Sequence, residues 1–202
     1  MNSKMIQQGA EAKIFKIKNK VVKDRTKKAY RIASLDNKIR TRRTKKEAKL
    51  LEKASKIINI PKVIISDQKD KKIEMDFIKG EKLSDHLNKY PLAKQKKICK
   101  QIGQDVAKLH DAKIIHGDLT TSNMILQDNK IYFIDFGLGY ISHKFEDKAV
   151  DIHLLKQALE AKHFQHWREL VKEFLKGYSK SKDSKIVLER LKAVEKRGRY
   201  KH

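Results

Sequence analysis

Short runs in which apolar and polar residues alternate fill the first part of the chain, and such alternation is typical of β-strands. Five runs of this kind occur, at residues 4 to 8, 12 to 18, 20 to 24, 62 to 66 and 72 to 77. Gly9 lies in the first turn, where glycine permits a tight connection. The N-terminal part of the chain is therefore predicted to consist mainly of β-strands.

Apolar residues recur at helical spacing once among these runs and then throughout the second half of the sequence. The first helical pattern extends from about Thr41 to Ile58, and Asn59-Ile60-Pro61 ends it. Further on, Ser84 is expected to cap a short helix that stops at Pro91. Longer helices are predicted at residues 92 to 111, 147 to 161, 166 to 180 and 184 to 197.

A hairpin at residues 123 to 127 and 130 to 134 separates the first long helix of the second half from the later ones. Together these elements predict an α+β fold in two lobes. The first lobe, residues 1–79, is β-rich with one long helix, and the second, residues 80–202, is helical. The chain of 202 residues is long enough to bury a core in such an arrangement.

The segment His116-Gly-Asp-Leu-Thr-Thr-Ser-Asn123 places an acid, an amide and three hydroxyls directly after the apolar pair Ile114-Ile115. Asp118, Asn123 and Asp135 follow in the order, and close to the spacing, of a protein-kinase catalytic loop and its D-F-G triplet. Phosphoryl transfer needs an acid that orients the nucleophile and oxygen ligands for Mg²⁺. Asp118 is predicted to fill the first role, and Asn123 and Asp135 the second.

A kinase-like first lobe also needs a strand lysine for the nucleotide phosphates and a helix glutamate that holds this lysine. Lys23, which follows two valines in the third strand, is predicted to be the lysine. Glu47 lies on an apolar stripe of its helix with Leu51, whereas Glu52 shares its face with lysines. Glu47 is therefore predicted to be the glutamate.

Two other stretches are positioned to contact ATP. The turn Gln8-Gly-Ala-Glu-Ala12 has the single glycine Gly9 where three glycines would let the backbone approach the phosphates. This turn is either a phosphate lid or an ordinary hairpin turn. The stretch Glu74-Met-Asp-Phe-Ile78 occupies the place of a kinase hinge, and backbone groups of Asp76 and Ile78 are predicted to contact adenine.

Two residues are predicted to support the catalytic loop: Asp151 from beneath, and His116 as a packed, hydrogen-bonded anchor. Gly117 stands where regulated kinases carry an arginine that receives an activation-loop phosphate. Residues 135 to 151 lack Ala-Pro-Glu and leave no room for a regulated activation segment. Thr120 replaces the usual catalytic-loop lysine, which predicts slow phosphoryl transfer to protein hydroxyls.

Lysine and arginine number 49 against 25 aspartate and glutamate residues, a formal net charge of +24. This excess of basic residues favours a polyanionic partner, and RNA is the preferred one. The alternative is the lysine-rich surface of a thermophile protein, but in such surfaces the number of acidic residues usually rises together with the number of lysines, and here it does not. Arg197, Arg199 and Lys201 cluster in a basic tail that is predicted to contact RNA, with a solvated chain end as the alternative. The single cysteine, Cys99, is interpreted as a buried small hydrophobe.

A family resemblance is carried by HGDLTTSN followed by IDFGLGY, by the QGAEA turn, by VVK and by the arginine-rich approach to KEAKLL. With these motifs the sequence resembles the small atypical kinase of the KEOPS complex, the p53-related protein kinase family. The resemblance implies a minimal bilobal protein-kinase-like fold with a truncated helical C-lobe. It further implies an ATPase and atypical Ser/Thr kinase that uses ATP and Mg²⁺.

The same resemblance implies three partners: the threonylcarbamoyl-transferase subunit of KEOPS, a small subunit docked on the N-lobe, and the transfer RNA that receives threonylcarbamoyladenosine. Apolar runs in the sequence are too short to cross a bilayer, and the N-terminus lacks the apolar core of a signal peptide. The protein is therefore expected to be cytoplasmic and to have no membrane partner.

Three other classes of protein stay open at this point. Aminoglycoside-type small-molecule kinases also use His-Gly-Asp, but their cationic substrates need an acidic acceptor cleft that a chain of net charge +24 supports poorly. RIO-type ribosome-assembly kinases share the short C-lobe and the missing activation segment. The third class, an RNA-binding pseudokinase, is disfavoured by the intact Lys23, Asp118, Asn123 and Asp135.

Overall fold

The computed structural model describes residues 3–199, and its first part is a five-stranded antiparallel sheet. The strands are β1 (Lys4–Gln8), β2 (Ala12–Ile17), β3 (Lys20–Arg25), β4 (Val63–Asp67) and β5 (Lys72–Asp76), in the spatial order β1-β2-β3-β5-β4. Each strand lies within one residue of a run that alternation predicts. Because β3 is central, Lys23 is held between Ile14 of β2 and Ile73 of β5.

The long helix α1 (Ala33–Ala54) packs against β4 and β5. It begins well before the predicted start at Thr41, because its first turns are fixed by charge pairing and not by an apolar stripe. The buried Asp36 accepts a hydrogen bond from Arg40 Nε at 2.6 Å and one from the Lys28 N–H at 3.3 Å. Helix α1 ends at Ala54, before the predicted end at Ile58, and the chain continues in turns.

After the sheet, the chain forms the short strand β6 (Glu81–Lys82), the helix α2 (Leu83–His86) and a 3₁₀ turn (Leu87–Lys89). The prediction that Ser84 caps this helix is wrong. Strand pairing of Glu81 and Lys82 fixes the helix start at Leu83, with Lys82 at the cap position. Ser84 Oγ instead donates a hydrogen bond to Asp85 Oδ1 at 2.7 Å.

Among the described residues, five short strands, in one pair and one three-stranded sheet, frame the predicted catalytic segment. The remaining strands are β7 (Ile114–Ile115), β8 (Met124–Gln127), β9 (Lys130–Phe133) and β10 (Tyr140–Ile141). β7 pairs with β10, whereas β6, β8 and β9 form a three-stranded sheet. Asp128 and Asn129, with φ of 50° and 58°, make the left-handed turn that joins the predicted hairpin β8–β9. Strands of two residues are too short for periodicity to reveal, so β6, β7 and β10 were not predicted.

Up to residue 199, the second part of the chain is built on four long helices, α3 (Leu92–Asp111), α4 (Phe145–Lys162), α5 (Trp167–Tyr178) and α6 (Ser184–Arg199). All four lie within two residues of the predicted helices at each end. α3 packs on α5, and α4 packs on α6. Cys99 of α3 is 1% exposed, which confirms its interpretation as a buried hydrophobe, and burial together with Glu173 raises the pKa of its thiol to about 12.

Two glycines let α3 and α5 cross with their backbones in contact. A Cβ on Gly103 would overlap the carbonyl oxygen of Phe174, and a Cβ on Gly177 would overlap that of Lys100. Neither glycine stands out in the sequence, because each lies inside a helical pattern. The close crossing holds α3 firmly, and the C-terminal end of α3 leads directly into β7 and the catalytic segment.

The antiparallel sheet, the single long helix and the helical remainder confirm the predicted α+β architecture. The division of the chain between residues 79 and 80 stays a prediction. In the part of the chain from residue 3 to residue 199, no helix has both the length and the apolar character needed to span a membrane.

Candidate active site

Lys23 is the buried cation at the centre of the site. Its ammonium nitrogen lies 2.7 Å from Glu47 Oε1 on α1 and 2.6 Å from Asp135 Oδ1, which follows β9. Burial acts to lower the pKa of Lys23, but the charges of Glu47 and Asp135 and their hydrogen bonds raise it above its ordinary value. Lys23 therefore keeps its positive charge at neutral pH.

Glu47 lies between two cations and is only 1% exposed. Its Oε1 faces Lys23, and its Oε2 accepts a hydrogen bond from the guanidinium of Arg25. Arg25 is itself buried, and its Nε has no hydrogen-bond partner among the described residues. Arg25 was not predicted from the sequence, although its position two residues after Lys23 on one strand places both side chains on the same face. Glu52, by contrast, is exposed.

Asp118 and Asn123 come together within the segment between β7 and β8. The Asn123 amide nitrogen donates to the Asp118 carbonyl oxygen at 2.9 Å and to Asp118 Oδ2 at 2.8 Å. The N–H of Ile134 donates to the Asn123 carbonyl oxygen at 2.9 Å, which places Asp135 beside Asn123. Since the amide nitrogen makes the side-chain contacts, Asn123 Oδ1 is oriented as a candidate oxygen ligand.

Asp135 has a left-handed backbone, with φ of 62°, at the turn that leaves β9. Its Oδ1 accepts the Gly137 N–H at 3.1 Å as well as the Lys23 ammonium. Burial acts to raise the pKa of Asp135, but the charge and hydrogen bond of Lys23 and the Gly137 N–H lower it overall. The carboxylate is therefore ionised at neutral pH, as a metal ligand must be.

Within residues 3–199, no group of three or more His, Cys, Asp or Glu side chains could hold a metal ion by itself. A site that uses one carboxylate and one amide oxygen fits Mg²⁺ bound together with phosphate, because this ion usually takes only one or two carboxylates and keeps phosphate or water ligands. Asp135 and Asn123 line one cavity and offer such a pair.

The buried carboxylate of Asp151, on α4, lies beneath the catalytic segment. It accepts the backbone N–H groups of His116 and Gly117, each at 2.9 Å. His110 Nε2 lies 3.2 Å from the same carboxylate, and His110 Nδ1 lies 3.0 Å from the Tyr178 hydroxyl. A continuous buried network thus joins the segment to α3, α4 and α5.

The ring of His116 is also buried and connects the catalytic segment to the strand that precedes Asp135. Its Nε2 lies 3.1 Å from the Ile134 carbonyl oxygen, and its Nδ1 accepts the Asp118 N–H at 3.3 Å. These contacts fit a neutral ring that carries its proton on Nε2. Next to it, Gly117 has φ of +80°, and a Cβ there would lie 2.6 Å from the Leu138 carbonyl oxygen. An arginine at this position would be strained.

A cavity of about 400 Å³ opens between the sheet and the catalytic segment. Its apolar walls are Ile6, Ile14, Val21, Leu51, Met75, Ile125 and Ile134. Lys23, Asn123 and Asp135 are among its polar lining residues, and the predicted hinge residues Asp76 and Ile78 also line it. Because the Asp76 N–H donates to the Lys62 carbonyl oxygen at 3.0 Å, only the carbonyl of Asp76 remains for a ligand. Volume and lining suit a nucleotide base.

A second cavity, of about 200 Å³, lies beneath the Gly9 turn. Gly9, Arg25, Arg43, Asp118 and Asp135 are among its lining residues. A Cβ on Gly9 would meet nothing closer than the Ala12 carbonyl oxygen at 3.6 Å, so this turn does not require glycine. The turn nevertheless covers the space between Lys23 and Asp118, where a phosphate lid would lie.

Cations from outside the sheet hold the Gly9 turn. Arg43 of α1 pairs with Glu11, and the Lys28 ammonium donates to the Ala10 carbonyl oxygen. Burial acts to raise the pKa of Glu11, but its hydrogen bond with Arg43 and the charges of Arg43, Arg31 and Lys28 lower it overall. Arg43 was not predicted from the sequence, because it lies within a run of basic residues that resembles an ordinary solvated surface.

The predicted RNA-contacting tail lies only partly within the described residues. The guanidinium of Arg197, 65% exposed, donates a hydrogen bond to Glu146 on α4. The backbone of Arg199 ends helix α6, and Lys201 lies outside the described residues. Arg197, the tail residue whose side chain is described, does not line the cavity that holds Lys23 and Asp135.

A family model for the RIO domain matches residues 5–150, well over half of the chain. Curated relatives match almost end to end. The KEOPS complex subunit Bud32 of Pyrococcus abyssi is 42% identical over 212 residues, which cover 98% of this chain and 96% of that protein. The probable serine/threonine-protein kinase BUD32 homolog of Archaeoglobus fulgidus is 41% identical, over 95% of this chain and 94% of that protein.

Longer relatives contain a similar segment. The probable bifunctional tRNA threonylcarbamoyladenosine biosynthesis protein of Methanococcus vannielii is 43% identical over 97% of this chain, which spans 36% of that protein. Among solved structures, the ternary complex of APH(2")-IIa with streptomycin and ATP superposes with a TM-score of 0.63. That likeness covers 95% of this chain and 81% of the other at 15% identity, so it shows the kinase-like fold alone.

The near-complete alignments, the RIO domain match and the shared kinase-like fold agree with the family that the sequence motifs indicate. The chain belongs to the Bud32 family of kinase-like KEOPS complex subunits, which carry a RIO domain.

Proposed function

We propose that this protein is the kinase-like subunit of a KEOPS complex and that it hydrolyses ATP with Mg²⁺ in support of threonylcarbamoyladenosine synthesis on transfer RNA. The observation that carries this proposal is the convergence of Lys23, Glu47, Asn123 and Asp135 on one cavity, with Asp118 bonded to Asn123. Membership of a kinase family implies the use of ATP. The names of the relatives supply the complex and the modified nucleoside.

Each residue of the cavity has a role that its geometry supports. Lys23 binds the α and β phosphates, and Glu47 keeps it in place through the 2.7 Å ion pair. Asp135 and Asn123 Oδ1 hold Mg²⁺, which neutralises charge on the phosphates when it is bound. Asp118 orients the attacking hydroxyl or water. Adenine fits between the apolar walls, next to the Asp76 carbonyl and the backbone of Ile78.

Water is the favoured acceptor of the phosphoryl group over protein hydroxyls. Only residues 136 to 144 separate Asp135 from α4, and β10 within them is paired with β7. So short and so tied a segment leaves little platform for a substrate peptide. Thr120 also removes the cation that usually stabilises transfer to a hydroxyl.

The proposed partners follow from charge and from the relatives. A net charge of +24 suits transfer RNA, and Arg197, Arg199 and Lys201 are proposed to contact its phosphates. The bifunctional relatives combine a similar segment with a further part in one chain, which favours the threonylcarbamoyl-transferase subunit as a direct partner. A small subunit on the N-terminal sheet and a cytoplasmic location complete the proposal.

The test is Mg²⁺-dependent phosphate release from ATP by the purified protein. Asp135→Ala should lower turnover by on the order of a hundredfold or more, because a charged metal ligand is lost. Asp70→Ala, in an exposed turn of the sheet, is the matched control and should leave turnover unchanged. Turnover by a folded Asp135→Ala protein within about threefold of wild type would contradict the assignment.

The RIO domain match is shared by one second candidate, an ATPase that acts in ribosome assembly. Stimulation of ATP turnover separates the two. Transfer RNA should stimulate the KEOPS subunit, whereas ribosomal particles should stimulate the alternative.

Truncation after Glu195 should reduce the slope of log affinity for transfer RNA against log salt by about 0.7 to 0.9 for each lost phosphate contact. Equal slopes would show that the tail is only a solvated end.

A further inference from the structure

We infer that Arg43 binds the terminal phosphate of the nucleotide, in place of the catalytic-loop lysine that this chain lacks at Thr120. The inference rests on the proposed function, since ATP is the ligand. It assigns a phosphate contact to a side chain of α1, the helix that also carries Glu47.

Arg43 and Asp118 line the same cavity of about 200 Å³ beneath the Gly9 turn. Arg43 reaches this space from α1, and Asp118 lies on the wall formed by the catalytic segment. Asp135, the proposed metal ligand, is a third lining residue. A phosphate between Arg43 and Asp135 would therefore lie next to Asp118, the residue proposed to orient the attacking hydroxyl or water.

The other two cations that line this cavity are paired with carboxylates of the site. Lys23 contacts both Glu47 and Asp135, and Arg25 is buried against Glu47. Among residues 3–199, the charged partner of Arg43 is Glu11, in a pair whose side chains are 37% and 42% exposed. Because both side chains are so exposed, this ion pair contributes little free energy. A phosphate can therefore replace Glu11 at small cost.

Arginine is suited to this exchange. Its planar guanidinium binds two phosphate oxygens at once, which a carboxylate partner mimics before the nucleotide arrives. Glu11, Asp118 and Asp135 are the acidic groups that line the cavity, and Mg²⁺ would offset Asp135. Glu11 thus holds the guanidinium over the cavity when no nucleotide is bound, and the phosphate takes its place.

An alternative reading makes Arg43 only a latch for the Gly9 turn, and it predicts different behaviour. A latch needs both of its members, so loss of Glu11 or of Arg43 would have the same effect. A phosphate ligand is needed in its own right, and loss of Glu11 would free it.

The experiment measures affinity for a non-hydrolysable ATP analogue and for ADP, together with ATP turnover, in Arg43→Met, Arg43→Lys and Glu11→Gln. Arg43→Met should lower the affinity for the non-hydrolysable ATP analogue by roughly tenfold to a hundredfold, the usual loss for a charge-assisted hydrogen bond. Affinity for ADP should stay within about twofold, because the contact is to the terminal phosphate alone. Arg43→Lys should recover part of the loss, and Glu11→Gln should bind the triphosphate as well as wild type or better.

Arg42→Met is the matched control, since Arg42 is the exposed neighbour of Arg43 on the same helix and should leave all three measurements unchanged. Equal losses in Arg43→Met and Glu11→Gln, or equal losses for ADP and the triphosphate, would overturn the inference. A wild-type protein that turns over ATP, an inactive Asp135→Ala and an unaffected Arg43→Met would overturn this inference and leave the proposed function standing. A wild-type protein without ATP turnover would overturn the proposed function itself.

Discussion

Arg25 donates a hydrogen bond to Glu47 Oε2, the carboxylate oxygen that Lys23 does not use. Both side chains of this ion pair are buried, at 4% and 1% exposure. In kinases with an activation segment, contacts from that segment help to keep the helix glutamate turned inward. Here the pair joins α1 directly to β3, so Glu47 is held toward Lys23 by the sheet itself.

The first prediction concerns Arg25→Met, which keeps the side-chain volume and removes the charge. Because Glu47 retains Lys23 as a partner, the free energy of unfolding should fall by roughly 1 to 3 kcal/mol, less than for a buried charge left alone. Urea unfolding measures this change. Arg42→Met, on the exposed side of α1, should leave the free energy unchanged, and a stability of Arg25→Met equal to wild type would show that the pair contributes nothing.

The second prediction concerns Asp151→Asn. An amide has one acceptor oxygen, so it cannot serve the N–H groups of His116 and Gly117 as the carboxylate does. One buried donor is left unsatisfied, which should cost roughly 1 to 3 kcal/mol of unfolding free energy. ATP turnover should fall about tenfold, because the segment that carries Asp118 is less rigidly placed. Full turnover in the variant would show that Asp151 does not position the segment.

Protonation of Asp151 in acid should also lower the free energy of unfolding. Burial acts to raise its pKa, but the hydrogen bonds from His110 and from the His116 N–H lower it below the ordinary value. The folded state therefore binds this proton more weakly than the unfolded chain does. The contribution of Asp151 to stability is present above the unfolded pKa of about 3.9 and is lost as the pH falls through the folded value.

Local patterns were sufficient for much of the fold and for five residues that line the site. Alternation depends only on which face of a strand is buried, so it placed β3 and with it Lys23. Asp118, Asn123 and Asp135 were found because kinase chemistry fixes their order along the chain. Glu47 was chosen over Glu52 by helical periodicity alone, and it is the buried one of the two.

Other features could not be found in this way because they depend on contacts distant in sequence. Arg25 and Arg43 are ordinary basic residues until the fold brings them to Glu47 and Glu11. The start of α1 is fixed by ion pairs of Asp36, which carry no apolar period. Gly103 and Gly177 lie inside helical patterns, and only the fold brings each of them against a carbonyl oxygen of the facing helix.

The third prediction contrasts two glycines. Gly177→Ala places a Cβ against the Lys100 carbonyl oxygen, so α3 and α5 must separate, and we expect a loss of roughly 3 kcal/mol of unfolding free energy. Gly9→Ala adds a Cβ that meets only the Ala12 carbonyl oxygen at 3.6 Å, and its stability should stay within about 0.5 kcal/mol of wild type. Thermal unfolding of the two variants compares them, and equal melting temperatures would contradict the close crossing of the helices.

His163 lies at the end of α4 and connects it to the catalytic segment. Its Nε2 lies 3.0 Å from Thr121 Oγ1, and its Nδ1 lies 2.6 Å from Asn88 Oδ1. An amide oxygen only accepts, so Nδ1 carries the proton and Nε2 accepts from the Thr121 hydroxyl. The ring is 1% exposed, and burial together with the charge of Lys162 lowers its pKa to about 4.

The fourth prediction is that this histidine makes stability depend on pH. Between about pH 6.5 and the folded pKa of about 4, the unfolded chain binds a proton at His163 that the folded protein does not, so stability falls as the pH falls. Lowering the pH from 7 to 5 should cost roughly 2 kcal/mol through this residue, measured by urea unfolding. His163→Gln should lose that part of the dependence, whereas His143→Gln, at an exposed site, should retain it. The same pH dependence in both variants would mean that another group is responsible.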